Sequence, residues 1–132
     1  MQAGLVQMNS GADPDANLNT LEHLLAEHCD AQVDIVVLPE NFALMGVSRQ
    51  QREAAAERPG DGPVQAAIRK LARKHECWIV AGTLPLRSDD PERPYASCLI
   101  FDNGGEQVGR YDKIHLFDVD IAASGESYAE SS

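Results

Sequence analysis

Apolar residues follow two distinct spacings along the chain, and each spacing predicts one kind of element. Leucines recur at helical spacing within residues 14–29, so this segment is expected to form an amphipathic helix capped by Asp13. Residues 35–38 form a continuous apolar run instead, which is typical of a strand buried on both faces. The run ends at Pro39, because proline cannot donate a hydrogen bond to a neighbouring strand.

The rest of the chain continues the same alternation of strands and helices. Two further helices are predicted over residues 48–57 and 64–75, and four further strands over residues 3–9, 77–83, 95–102 and 107–114. Asn103-Gly104-Gly105 favours a hairpin turn between the last two strands. Strands that alternate with helices favour the α/β class, and the closing hairpin adds antiparallel pairing, so a mixed sheet is expected.

Composition and charge narrow the functional classes. The 132 residues are 43% hydrophobic, which suits a single domain with a sizeable core. The apolar runs are too short to cross a bilayer and no secretory signal is visible, so we expect a cytoplasmic protein without a membrane partner. A formal net charge of -10 argues against a nucleic-acid partner, because such binding needs a basic surface.

The three cysteines and the absence of metal-site spacings complete this picture. Cys29, Cys77 and Cys98 are widely spaced and odd in number, which favours reduced, mostly buried thiols over a disulfide framework. Neither a CxxC nor a HExxH pair is present, so no dedicated metal site is predicted.

Two residues at strand ends are candidates for chemistry. Glu40 lies just beyond the carboxyl end of a buried strand, where α/β sheets bind ligands. Phe42 and aliphatic neighbours are expected to wall its carboxylate and desolvate it partly, as suits a general base. Lys113 follows the last predicted strand, and beside a carboxylate it could hold the charge that develops on a substrate oxygen. Taken in isolation, each residue would more often be a solvated side chain than a functional one.

Both residues belong to motifs that resemble one enzyme family. Leu38-Pro39-Glu40-Asn41-Phe42, Ala81-Gly82-Thr83 and the segment from Tyr111 to Asp120 look like the nitrilase, or carbon–nitrogen hydrolase, superfamily. The His-Leu-Phe-Asp-Val-Asp continuation resembles the amidase branch that includes omega-amidase and deaminated glutathione amidase. The resemblance implies the N-terminal part of an αββα sandwich, a mixed sheet with helices on one face.

The same resemblance implies a Glu–Lys–Cys triad that hydrolyses an amide to acid and ammonia without a metal or an organic cofactor. Glu40 matches the general base and Lys113 the lysine that stabilises the tetrahedral intermediate, while Glu130 matches an accessory glutamate. In the family the nucleophilic cysteine lies downstream of that glutamate, and the sequence stops at Ser132. We therefore expect one domain over residues 1–132 that is truncated before the nucleophile and inactive by itself. The expected substrate of the intact enzyme is a small amide that carries a carboxylate.

Two alternatives to a hydrolase remain open. The chain could be a binding or assembly module derived from the hydrolase fold, which the missing nucleophile would explain. A flavodoxin-like nucleotide-binding domain is disfavoured, because no glycine-rich phosphate loop follows the first strand. Since half of a sandwich leaves an apolar sheet face uncovered, a homo-oligomer or other self-association is also expected.

Overall fold

The structure, a computed structural model, describes residues 1–116, 118–121 and 126–129, the last two ranges by their backbone. Five strands form one sheet in the order β1-β2-β3-β4-β5. They are β1 (Ala3–Leu5), β2 (Ile35–Val37), β3 (Trp78–Leu86), β4 (Tyr95–Phe101) and β5 (Gln107–Asp112). The first three strands pair in parallel and the last three antiparallel, so the sheet is mixed, as the sequence predicted.

A second, two-stranded antiparallel sheet was not predicted from the sequence. It consists of β6 (Asp118–Ile121) and β7 (Glu126–Ala129). Its two strands have four residues each, which is too short for a strand period to stand out in a sequence.

Three helices connect and cover the large sheet: α1 (Pro14–His28), α2 (Arg49–Ala55) and α3 (Pro63–His75). Asp13 caps α1 by accepting hydrogen bonds from the N–H groups of Asp15 and Ala16, and Ser48 forms a capping box with Gln51 on α2. In the described part of the chain, every helix is too short or too polar to cross a membrane.

Helix α3 is capped by a residue from outside the helix. Its first residue follows Gly62, which has no side chain to act as a cap, and the Glu57 carboxylate takes that role. Glu57 accepts hydrogen bonds from the N–H groups of Val64 at 2.6 Å and Gln65 at 3.2 Å. The negative charge also suits the positive end of the helix dipole. The sequence had placed Glu57 at the end of α2, but that helix ends at Ala55.

The hydrophobic core lies between the helices and one face of the sheet. Alternate strand residues such as Ile79, Ala81 and Leu99 are fully buried there, together with Ile68 from α3. On the opposite face, Leu5 is 79% exposed and Trp78 is 42% exposed. The α/β class and the mixed sheet with helices on one face are therefore confirmed. The opposite face of the sheet is apolar and open to solvent.

Candidate active site

Glu40 and Lys113, which are 73 residues apart in sequence, meet at the carboxyl edge of the sheet. The Lys113 Nζ atom donates a hydrogen bond to Glu40 Oε1 over 2.8 Å. The lysine side chain is 23% exposed and the glutamate side chain 55% exposed. The structure thus brings together the two candidate residues that the sequence selected.

The turn that carries Glu40 depends on Gly82, at an irregularity in β3. Gly82 has a φ of 20°, and a Cβ atom at this position would lie 1.9 Å from the carbonyl oxygen of Pro39. Only glycine lets the two backbones approach so closely. The bulge between Ala81 and Leu84 therefore seats the segment that leads into Glu40.

Hydrogen bonds on both sides of the turn hold it in place. The N–H of Asn41, which has a φ of 54°, donates to Thr83 Oγ1 over 2.9 Å. The buried side chain of Asn17 donates to the carbonyl of Ala43 over 2.9 Å. The Ala81-Gly82-Thr83 motif and helix α1 thus position the residues that flank the carboxylate.

Lys113 is held by strand β4. Its backbone N–H donates to the carbonyl of Ala96 over 2.9 Å. The preceding residue, Asp112, accepts hydrogen bonds from Ser97 Oγ at 2.6 Å and Arg110 Nε at 2.7 Å. Burial disfavours ionisation of Asp112, but these hydrogen bonds and the charge of Arg110 outweigh it and hold the pKa of Asp112 below its usual value. The carboxylate therefore stays ionised and fixes the strand end before the lysine.

The environment of Glu40 differs in one respect from the prediction. Phe42 was expected to wall the carboxylate, but it packs in the core cluster and is 1% exposed. With 55% of its side chain exposed, the Glu40 carboxylate is more open to water than the sequence suggested. Asn41, which lies between Glu40 and Phe42, has a left-handed backbone conformation. The Glu40 carboxylate and the Phe42 ring therefore point in different directions.

A depression beside this pair contains an arginine that the sequence did not single out. Asn41, Arg52, Tyr95 and Leu116 are among the residues that line it. Arg52 comes from α2, where its sequence context is that of an ordinary solvated helix residue, so no sequence signal marked it.

The described cysteines lie away from this arrangement or are unsuited to attack. Cys77 precedes β3 while Glu40 follows the parallel strand β2, so Cys77 and its neighbour Cys29 lie at the opposite end of these strands. Cys98 is on β4, and burial raises the pKa of its thiol, which disfavours the thiolate.

Two further predictions concern sites that the structure does not test. Glu130, the predicted accessory glutamate, lies outside the described residues. Within the described ranges, no cluster of three or more His, Cys, Asp or Glu side chains could hold a metal ion. That the reaction needs no metal or cofactor stays a prediction.

Comparisons with known proteins identify the family. The carbon-nitrogen hydrolase family matches residues 2–132. A deaminated glutathione amidase from Yersinia enterocolitica is 38% identical over 128 residues, which are 96% of this chain and 44% of the relative. The omega-amidase of Saccharomyces cerevisiae is 32% identical over 139 residues, covering 99% of this chain and 46% of the relative. The chain therefore spans less than half the length of these curated relatives.

Solved structures lead to the same family. The NitFhit protein of Caenorhabditis elegans superimposes with a TM-score of 0.81 at 28% identity, over 99% of this chain and 33% of that one. A carbon–nitrogen hydrolase superfamily protein from Xanthomonas campestris gives a TM-score of 0.73 at 33% identity, over 87% of this chain and 41% of that one. The fold, the motifs and the family match agree: this chain belongs to the carbon–nitrogen hydrolase family.

Proposed function

We propose that this chain supplies the general base and the oxyanion-stabilising cation of an amidase that acts on a small carboxylate-bearing amide. The observation that carries the proposal is the 2.8 Å contact between Lys113 and Glu40 at the carboxyl edge of the sheet. A carboxylate and an ammonium group held this close can serve proton transfer and charge stabilisation at a single reacting centre.

In the proposed reaction, the Glu40 carboxylate takes the proton of a cysteine thiol, and the thiolate attacks the amide carbonyl. Lys113 then stabilises the negative charge on the carbonyl oxygen. The C–N bond then breaks as Glu40 returns that proton to the departing nitrogen, and ammonia leaves. Water attacks the thioester with Glu40 again as base, which releases the acid and restores the thiol. We propose Glu130 as an accessory carboxylate near the lysine, on the strength of the motif resemblance.

The names of the relatives support the substrate class. Two relatives are named deaminated glutathione amidase and omega-amidase, which supports an amide substrate.

The nucleophile is not among Cys29, Cys77 and Cys98 in this proposal. The first two lie at the far end of the parallel strands, and the pKa of the third is raised by burial. We therefore propose that the 132-residue chain assayed by itself shows no enzyme-like turnover. Enzyme-like release of ammonia from α-keto-acid amides that is lost in Glu40→Gln would overturn this part of the proposal.

A chimera tests the catalytic roles directly. Residues 2–132 replace the matched segment of the Yersinia enterocolitica relative, and ammonia release from carboxylate-bearing amides is measured. Glu40→Gln and Lys113→Met are each expected to lower kcat by at least about 10²-fold. Glu92→Gln in the exposed loop before β4 and Lys70→Met on the exposed face of α3 are matched controls and should retain activity.

The result can contradict the proposal cleanly. If the chimera is folded and active, and Glu40→Gln or Lys113→Met remains as active as its control, the assigned role of that residue is wrong.

A binding or assembly module remains a second candidate, and the uncovered apolar sheet face favours it. Leu5 and Trp78 on that face are exposed to an extent that suits contact with another polypeptide. Stable complex formation with a separate chain that carries the cysteine half would support this function. The single-domain extent over residues 1–132 and the cytoplasmic location both stay predictions.

A further inference from the structure

Two cysteines that the proposed reaction does not use face each other at the other end of the sheet. The Sγ atoms of Cys29 and Cys77 are 4.0 Å apart, although the residues are separated by 48 positions in sequence. Both are free thiols in this structure. A disulfide has an S–S distance of about 2.05 Å, so the two sulfurs need to approach by about 2 Å.

The backbone at both positions allows such an approach. Cys29 caps the carboxyl end of α1, and its extended backbone leads into a turn. Cys77 follows the left-handed residue Glu76 and precedes the first residue of β3. Neither cysteine lies inside a helix or strand, so a small shift of the element ends together with side-chain rotation can bring the sulfurs together.

The two thiols differ in their access to solvent. Cys29 is partly exposed and lines an open groove with His28, Leu5 and Val33. Cys77 is fully buried, and burial together with the neighbouring Cys29 raises the pKa of the Cys77 thiol to about 12. A small oxidant therefore reaches Cys29 first, while the buried Cys77 remains a thiol.

We propose that Cys29 and Cys77 are a peroxide-oxidisable pair, in which Cys29 reacts first and Cys77 resolves it into an intramolecular disulfide. The Cys29 thiolate attacks one oxygen of a hydroperoxide such as hydrogen peroxide. The O–O bond breaks, and the products are a sulfenic acid on Cys29 and, after protonation, water. The Cys77 sulfur then attacks the Cys29 sulfur, the S–O bond breaks, and the departing hydroxide takes the Cys77 proton as a second water.

The disulfide would join the end of α1 to the start of β3 and close the loop that contains Glu40. Because β3 carries the Gly82–Thr83 segment beneath the Glu40 turn, the bond would stabilise the framework of the site without entering it. This inference is independent of the amidase proposal, since neither cysteine has a role in that reaction.

Peptide mapping of the full 132-residue chain tests the proposal. The native protein is treated with hydrogen peroxide, blocked with an alkylating agent and digested with trypsin, which places the three cysteines in different peptides. We expect the loss of two hydrogen atoms, one linked Cys29–Cys77 peptide pair and reversal by dithiothreitol. The oxidised chain should unfold at a temperature at least about 5 °C higher than the reduced chain.

Variants separate the pair from general thiol oxidation. Cys98→Ser is the matched control and should give the same linked peptides and the same shift in Tm. Cys29→Ser, at a partly exposed position, should abolish both the linked peptides and the shift in Tm while preserving the circular dichroism spectrum. Cys77→Ser is the second variant that removes one partner of the pair. Sulfinic acid on Cys29 without a disulfide, links that involve Cys98, or a link that forms only in urea would each overturn the proposal.

Discussion

Replacing Gly82 with alanine tests whether the close approach of two backbones holds the Glu40 turn. The added Cβ would lie 1.9 Å from the oxygen and 2.7 Å from the carbon of the Pro39 carbonyl, and 3.1 Å from the oxygen of Leu38. All three atoms belong to the backbone, so no side chain can rotate away to relieve the contact. The backbones at Gly82 and Pro39 have to move apart by about 1 Å or more, and the closely packed core resists such a shift.

The size of the effect follows from two costs. Overpacking a closely packed site costs about 1–3 kcal/mol. A positive φ in a residue with a Cβ adds about 1–2 kcal/mol. We therefore expect Gly82→Ala to lower the free energy of unfolding by about 2–5 kcal/mol, a large fraction of the total stability of a domain.

Urea denaturation of the 132-residue chain, followed by circular dichroism, measures this loss. With a urea m-value of about 2 kcal/mol/M, the midpoint should fall by about 1–2.5 M. Gly11→Ala is the matched control, because a Cβ there meets no atom within 4 Å. Its effect should stay within about 0.5 kcal/mol. Equal midpoints for the two variants would refute the close-approach explanation.

Three further predictions concern acid, neutral pH and association. Asp112 has a folded pKa below its usual value of 3.8, so its stabilisation is complete above that pH and is lost as the pH falls through the lower folded value. Asp112→Asn should remove this acid dependence in urea titrations between about pH 2 and 6. Burial and the charge of Lys74 lower the folded pKa of His75 below its usual value of 6.5. The free energy of unfolding should therefore decline as the pH falls below 6.5, and it should decline less in His75→Gln. The uncovered sheet face should make the chain self-associate in light scattering, and Leu5→Lys combined with Trp78→Lys should reduce this association; a monodisperse wild-type monomer would contradict it.

The extent to which the elements were predictable depends on their length and on local signals. Helix α1 was predicted with an error of one residue, because Asp13-Pro14 marks its start and leucines mark its buried face. Strand β3 was predicted to end at residue 83 but continues to Leu86. A bulge at Gly82 shifts the register, and β3 pairs with β4 again beyond the bulge. Strand β1 was predicted over residues 3–9 but pairs only at Ala3–Leu5, where β2 lies alongside it.

At the candidate site, too, some features could be predicted from local sequence and others could not. Glu40 could be selected from its position after a buried apolar run, and Lys113 from its match to a family motif. Their 2.8 Å contact could not be predicted from local sequence, because it joins residues that are 73 positions apart and that meet only when the sheet forms. The position of Arg52 beside Asn41 and the approach of Cys29 to Cys77 likewise depend on how separate elements pack.

The sequence by itself determined the order of the main elements, the α/β class and the choice of Glu40 and Lys113 as candidate site residues, because hydrophobic period, caps and motifs are local properties of the chain. Only the tertiary structure decided how exposed the Glu40 carboxylate is, which residues hold Lys113, and why Gly82 is required next to Pro39. These are distances between segments remote in sequence, and they are set by strand pairing and core packing. No local pattern encodes them.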